Sequence, residues 1–178
     1  NEDIVTYLLA NQVCGIARGK AEFGPRALGN RSLIADPRVP NIKDRVNNIK
    51  DRQSFRPFAP MVLEEYASEW FDMATLTESP FMMYAVDVLP EKIDLIPAVT
   101  HVDNTCRVQT VSEVNNKKYY DLIKEFHNIT DVPVLFNTSF NLAGQPLVDT
   151  LFDAFLTLVN SDIKYLYLAD IDTLISKP

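Results

Sequence analysis

Three stretches of this chain combine residue types that could bind and polarise an anion. In Lys50-Asp-Arg-Gln-Ser-Phe-Arg-Pro-Phe-Ala-Pro60, Lys50 and Arg52 stand two apart, a spacing that in extended chain turns both side chains to one face. Arg56 precedes a proline, which biases its backbone toward extended conformation as well. Guanidinium forks bind phosphate oxygens bidentately and an ammonium acts as a point charge, so these three cations form a candidate phosphate grip. Phe55 and Phe58 either anchor the loop in the core or flank a base. The second stretch is Gly19-Lys-Ala-Glu-Phe-Gly-Pro-Arg-Ala-Leu-Gly-Asn-Arg-Ser32. Its glycines permit close backbone approach, as in loops whose N–H groups cradle phosphate, and Arg26 and Arg31 add cations. It lacks the Gly-Lys-Ser/Thr of a Walker A loop and is no dinucleotide fingerprint. The third is Leu135-Phe-Asn-Thr-Ser-Phe-Asn-Leu-Ala-Gly-Gln-Pro146. Asn137, Ser139 and Asn141 offer neutral donors and acceptors suited to a planar amide or carbamate, beyond a strand end where α/β sheets bind ligands. An Asx-type turn satisfying its own backbone is the alternative.

Other groups rank lower. Arg107, at the end of His101-Val-Asp-Asn-Thr-Cys-Arg107, is a further isolated cation at the start of a strand, with a surface ion pair as its alternative. His101, two residues from Asp103, is a weak candidate base titrating near neutrality. His127 ends an amphipathic helix and suits the helix dipole. Arg107 beside Cys106 would lower the thiol pKa, but nothing else marks a nucleophile, and both cysteines read as structural. No carboxylate stands out as a magnesium ligand.

The wider composition bounds the reading. The 178 residues carry 17 basic and 24 acidic side chains, a net charge of -7, which argues against broad nucleic-acid binding. The segment from Arg18 to Arg56 departs from this, with ten basic and four acidic residues. A compact basic zone in an acidic protein suits a small anion such as phosphate better than a polymer. Solvated surface arginines are the alternative. Hydrophobic residues make up 47% and charged residues 23%, ordinary for a globular domain. Mean hydropathy is -0.06, and no apolar run approaches a membrane span. Two cysteines exclude a disulfide framework and a four-thiolate zinc site. The first residue is Asn and no signal peptide is visible, so the sequence reads as one domain, 1–178, cut from a longer protein of the cytoplasm.

The elements that must position these residues alternate. Spacing predicts helices over 2–12, 41–50, 64–71, 117–128 and 149–159, the last with Asp149 as its capping acid. Strands are predicted over 13–17, 32–35, 61–63, 82–88, 107–112, 133–136 and, as the last, 165–168. Segments 19–30, 73–80 and 90–100 read as loops, and 53–60 as irregular because of Pro57 and Pro60. This order implies an α/β chain with a mixed sheet.

Taken together, the motifs resemble the C-terminal domain of the O-carbamoyltransferases of nodulation-factor and antibiotic biosynthesis, the NodU/CmcH type. The resemblance rests on Gly19 to Ser32, on Phe55-Arg-Pro-Phe-Ala-Pro60, and on Asn137-Thr-Ser-Phe-Asn141 followed by Gly144-Gln-Pro146, and it spans nearly the whole chain. It implies a YrdC-like twisted mixed β-sheet with flanking helices. Lys50-Asp-Arg52 and Ser139-Phe-Asn141 fit the Lys-x-Arg and Ser-x-Asn signature of YrdC-type enzymes. The implied reaction binds ATP, with Mg2+, and carbamoyl phosphate, forms carbamoyl adenylate and releases pyrophosphate. A separate N-terminal Kae1-like domain would pass the carbamoyl group to a hydroxyl. On this reading Lys50, Arg52, Arg56 and Arg107 are catalytic. Arg26, Arg31, Asn137, Ser139 and Asn141 bind substrate or nucleotide, with no protein-held metal, nucleic acid or membrane. The alternatives are a module that binds nucleotide or carbamoyl phosphate without turnover, or a docking module whose Arg26 and Arg31 grip the missing domain.

Overall fold

The computed structural model describes residues 2–177. Its centre is a seven-stranded mixed sheet in the order β10-β9-β1-β2-β8-β3-β7. The strands are β1 (Cys14–Ala17), β2 (Arg31–Ala35), β3 (Ala59–Leu63), β7 (Gln109–Val111), β8 (Val134–Ser139), β9 (Tyr165–Leu168) and β10 (Thr173–Ser176). β1 with β9 and β3 with β7 are parallel, and the other neighbours are antiparallel. A small antiparallel sheet joins β4 (Phe71–Asp72), β5 (Val86–Val88) and β6 (Thr105–Cys106). The helices are α1 (Glu2–Leu9), α2 (Ile42–Ile49), α3 (Ala67–Trp70), α4 (Glu113–Thr130) and α5 (Leu151–Val159).

The expected class, a mixed sheet flanked by helices, is the class observed. α1 buries Ile4, Val5 and Leu8, and α4 buries Tyr119, Leu122, Ile123 and Phe126. Tyr7 of α1 stacks on Tyr165 of β9 with centroids 4.1 Å apart. Two glycines are there for close packing. A Cβ on Gly15 would come within 2.8 Å of the Phe140 ring, and one on Gly29 (φ +115) within 3.0 Å of Tyr119. Gly29 therefore approaches a side chain of this chain rather than a phosphate.

Several boundaries differ from expectation. β3 begins at Ala59 and contains Pro60. β7 pairs with β3 only from Met61 onward, so the missing N–H of Pro60 falls where no partner asks for it. The strand expected over 107–112 is the shorter β7, and Arg107 lies outside it, in the break between β6 of the small sheet and β7 of the large one. β5 covers only the end of 82–88, and a short 3-10 turn (Pro90–Leu95) occupies part of the expected loop. The helix expected over 64–71 is a 3-10 turn followed by α3, and Phe71 already belongs to β4. The N-cap of α5 is Thr150, not Asp149. Its hydroxyl accepts from the Asp153 N–H while the Asp153 carboxylate accepts from Thr150, a full capping box. β10 follows the strand expected to be last. It is a short, half-exposed edge hairpin on β9 after a turn with Asp172 at φ 47, and four residues with two apolar ones give too little pattern to see.

Candidate functional site

The topology brings four loops to one end of the large sheet. β8 finishes there at Ser139. Its antiparallel neighbours β2 and β3 start there, at Arg31 and Ala59, and β7, parallel to β3, starts there at Gln109. Two carboxyl ends point here, that of β8 and that of β1, which pairs Ala17 with Arg31 and runs into the first loop, whereas β2, β3 and β7 present amino ends. The mixed sheet thus surrounds this end with both kinds of strand terminus. Between the loops lies a cavity of about 310 Å³ lined by Arg26, Ala27, Arg52, Arg56, Phe58, His101, Arg107, Asn137 and Ser139 among others. Four arginines meet here, and among the described residues no carboxylate lines the cavity.

Each loop is set by one buried or half-buried polar side chain. In the first loop the Glu22 carboxylate accepts the backbone N–H groups of Leu28 (2.7 Å), Asn30 (3.1 Å) and Arg31 (3.0 Å). This folds the glycine-rich segment back so that Arg26 and Ala27 face the cavity. Arg31, expected to bind ligand, is placed inward and does not line the cavity. It is 4% exposed, and its guanidinium donates to the carbonyls of Arg18 (2.6 Å), Asn30 (2.9 Å), Gly19 (3.3 Å) and Asp149 (2.8 Å). Loop carbonyls capture the donors that a phosphate would need.

In the second loop the organiser is Asn47 of α2, fully buried. Its Nδ2 donates to the carbonyls of Ser54 (3.0 Å) and Arg56 (3.3 Å), and its Oδ1 accepts from Arg52 Nε (2.6 Å). Arg52 also lies over the Phe58 ring, 4.4 Å from its centroid. Phe58 in turn packs on Phe136 in the core, while Phe55 is exposed.

Lys50 organises the third loop. The extended spacing expected for Lys50 and Arg52 is absent: Lys50 caps α2 in helical conformation and Asp51 has φ 47. The two side chains therefore diverge. Lys50 is buried, and its Nζ donates to the Ser139 carbonyl (2.5 Å), the Asn141 carbonyl (3.0 Å), Asn141 Oδ1 (2.8 Å) and Ser139 Oγ (3.2 Å). Burial, and then the Arg52 charge, push its pKa down to about 7. The three protons of an ammonium match these acceptors better than the two of an amine, so the hydrogen bonds oppose that shift. Asn141 completes the clamp by donating from Nδ2 to the Gln145 carbonyl at 2.8 Å, and it does not line the cavity. Asn137 lines the cavity, but its Nδ2 holds the first loop through the Ala27 carbonyl (2.8 Å). Gln109 does the same through the Leu28 carbonyl (3.0 Å).

Arg56 and Arg107 are exposed at the mouth, and neither guanidinium has a hydrogen-bond or ion-pair partner among the described residues. The arginines repel one another. Burial and then Arg56 lower the Arg52 pKa to about 10, and burial and then Arg107 lower that of Arg26. A bound polyanion relieves this repulsion. His101 sits beside them with Nδ1 3.0 Å from Thr105 Oγ1. Its pKa falls because burial outweighs Asp103, and Arg107 adds to the fall. His101 is thus neutral at pH 7. The thiol of Cys106 is pushed upward by burial and then by the Asp87 charge, not lowered as its place beside Arg107 suggested, and that of Cys14 is pushed up to about 12 by burial. His127 packs edge-on against Tyr66, away from the cavity. No group of three or more metal-ligating side chains occurs among the described residues.

Glu22, Asn47 and Gln109 had not stood out in the sequence. The signal for Glu22 was its place within a loop of glycines and arginines, where a lone acid has a structural job. Glu22→Gln replaces one acceptor oxygen by an amide, opposing an N–H. Loss of one charged hydrogen bond costs roughly 1.5–3 kcal/mol, so the thermal midpoint should fall by roughly 4–10 °C. An unchanged midpoint in calorimetry would remove Glu22 from this role. A second check concerns His101. Its folded pKa lies below the unfolded value near 6.5, so the unfolded chain binds more protons and stability drops as pH falls below about 6.5. His101→Gln should flatten this part of the pH–stability curve, measured by urea unfolding.

Residues 5–177 match the family model described as Carbamoyltransferase C-terminus. The chain is 50% identical over 159 residues to nodulation protein NolNO of Sinorhizobium fredii, covering 88% of this chain and 23% of that protein. It is 48% identical over 159 residues to nodulation protein NolO of Bradyrhizobium diazoefficiens, covering 88% and 29%. The chain thus spans about a quarter of the length of the curated relatives it matches. Its fold is similar to that of full-length HypF in a phosphate- and nucleotide-bound form, with TM-score 0.64 and 16% identity over 93% of this chain and 26% of that one. With the family model matched over almost every residue and a loop cluster built from the same motifs, the chain belongs to the carbamoyltransferase C-terminal family.

Proposed function

We propose that this chain is the carbamoyl-activating domain of an O-carbamoyltransferase, working with a separate N-terminal domain. The observation that carries the reading is one cavity lined by four arginines and, among the described residues, no carboxylate, with Ser139 and Asn137 beside them. Such a site suits the phosphates of ATP and carbamoyl phosphate. That a structure of similar fold, HypF, is described as phosphate- and nucleotide-bound supports both ligand classes. Carbamoyl phosphate and water give carbamate and phosphate. A carbamate oxygen then attacks the α-phosphorus of ATP, and the bond to the bridging oxygen breaks with its electron pair leaving on pyrophosphate. Carbamoyl adenylate is the product. Such a displacement depends on positioning and charge stabilisation, which Arg26, Arg52, Arg56 and Arg107 supply from fixed loops. A carbamate is already nucleophilic, so neutral His101 need not act as a base. Mg2+ would travel on the nucleotide phosphates, since among the described residues no group of three or more metal-ligating side chains offers it a seat. The N-terminal domain would deliver the carbamoyl group to a hydroxyl. The need for ATP makes the cytoplasm the expected compartment, and among the described residues no helix is long and apolar enough to cross a membrane.

The test is pyrophosphate release by the full-length protein, which should require ATP and carbamoyl phosphate together. Ligand at a hundredfold its Kd adds about 2.7 kcal/mol, a rise in midpoint of roughly 5–10 °C at this size. Stabilisation without pyrophosphate would instead support a binding module. Absence of both effects would overturn the assignment.

A further inference from the structure

α5 is apolar on both sides. Ala154, Thr157 and Leu158 are buried, which accounts for one side. The other carries Leu151 (53% exposed), Phe152 (67%), Phe155 (45%), Leu156 (41%) and Val159 (47%). At about 100° per residue these five fill one continuous arc of roughly 140°. The helix has a single charged residue, Asp153, and its carboxylate is engaged in the capping box with Thr150. A helix apolar all round has the composition of a buried one. Leu156 also lines a groove of about 310 Å³ between α5 and the 142–149 segment, where Leu142, Pro146 and Val148 form the wall. Helix and groove are one continuous surface, distinct from the arginine cavity, which shares no lining residue with it.

Two observations decide what covers it. An aromatic side chain presents roughly 150–250 Å², so the exposed stripe amounts to on the order of 400–500 Å². A free-standing dimer needs about 800 Å² from each partner, whereas contacts between domains of one chain bury about 600–1,500 Å² in total. The stripe therefore suits a tethered partner, for which the linker supplies a high effective concentration. The relatives, in turn, carry three-quarters of their length outside the region matched here. We propose that the α5 face and its groove seat that remaining part of the same polypeptide, through an apolar surface on it. The surface is bonded to the site loops in the middle and at the end of the 142–149 segment. Asn141 holds the Gln145 carbonyl, and Arg31 holds that of Asp149.

Hydroxyl-radical footprinting of the full-length protein, shown monomeric by sedimentation over a wide concentration range, tests this without any nucleotide. Rates are normalised to the reactivity of each free amino acid. Phe152 and Phe155 should be oxidised several-fold more slowly than their exposure here implies, while Val114 and Ile129 of α4, exposed by 94% and 55%, report unprotected rates. Phe152→Asp in the full-length protein should loosen the packing, seen as a larger radius of gyration in solution scattering. Labelling of Phe152 and Phe155 as fast as the controls in the monomer would overturn the proposal. So would protection that appears only as the protein dimerises, because the occupant would then be a second copy.

Discussion

Lys50→Ala should lower the thermal midpoint by on the order of 10 °C and abolish pyrophosphate release. The substitution withdraws one buried ammonium from four acceptors: the Asn141 carbonyl loses its donor, while the Ser139 carbonyl keeps only the Asn141 N–H and Ser139 Oγ and Asn141 Oδ1 keep only each other. Each unpaired buried polar group costs about 1–3 kcal/mol. Removing one partner of a buried charged network costs about 3–5 kcal/mol, or roughly 6–20 °C at this chain length. Release from the charge's own desolvation offsets part of this, hence the intermediate figure. Activity is lost because Ser139 and Asn141 leave their places at the end of β8. Lys50→Arg keeps the charge but not the compact donor, and a planar fork cannot converge on four closely set oxygens. It should recover part of the stability and little of the turnover. A Lys50→Ala protein that melts within about 2 °C of wild type and still releases pyrophosphate would end the clamp interpretation.

Arg56→Ala should do the opposite: leave stability alone and weaken ligand binding about 10–100-fold, the equivalent of one charged hydrogen bond of roughly 1.5–3 kcal/mol. The Arg56 guanidinium touches no partner among the described residues and stands among like charges. Its removal eases the repulsion that lowers the Arg52 pKa, so the midpoint should stay level or rise slightly, within about 0.5 kcal/mol. Arg107→Ala should behave in the same way, and the double variant should lose nearly all affinity for ATP. Titration calorimetry with magnesium-ATP reads both effects, and the affinity should fall steeply with added salt in wild type and less steeply in the variants. Unchanged affinity in the double variant would move the nucleotide away from this cavity. The pair of experiments separates a cation that holds the site together from cations that await a ligand. Both kinds look alike in a list of basic residues.

Much could be read from the sequence. The apolar spacing of Ile4, Val5 and Leu8, and of Ile123 and Phe126, determined the helices, because a 3.6-residue period can be buried only one way. The basic zone from Arg18 to Arg56, with Lys50, Arg52 and Arg56 beside prolines and Arg26 and Arg31 among glycines, pointed to an anion site, and Arg107 stood apart as an isolated cation. The motifs at Gly19–Ser32 and Asn137–Asn141 identified the family. What the tertiary structure alone decided is the direction of each side chain. Lys50 and Arg52 part because α2 continues through Lys50 and Asp51 turns left-handed, a matter of two residues' backbone angles. Arg31 turns inward because folding closes a cage of carbonyls from residues as distant as Asp149 around it. Arg107 faces the cavity because its chain crosses there from one sheet to the other. Residue types carry the charge and the hydrogen-bonding capacity. Which of them remain free for a ligand depends on contacts between segments far apart in the chain, and local pattern holds no record of those.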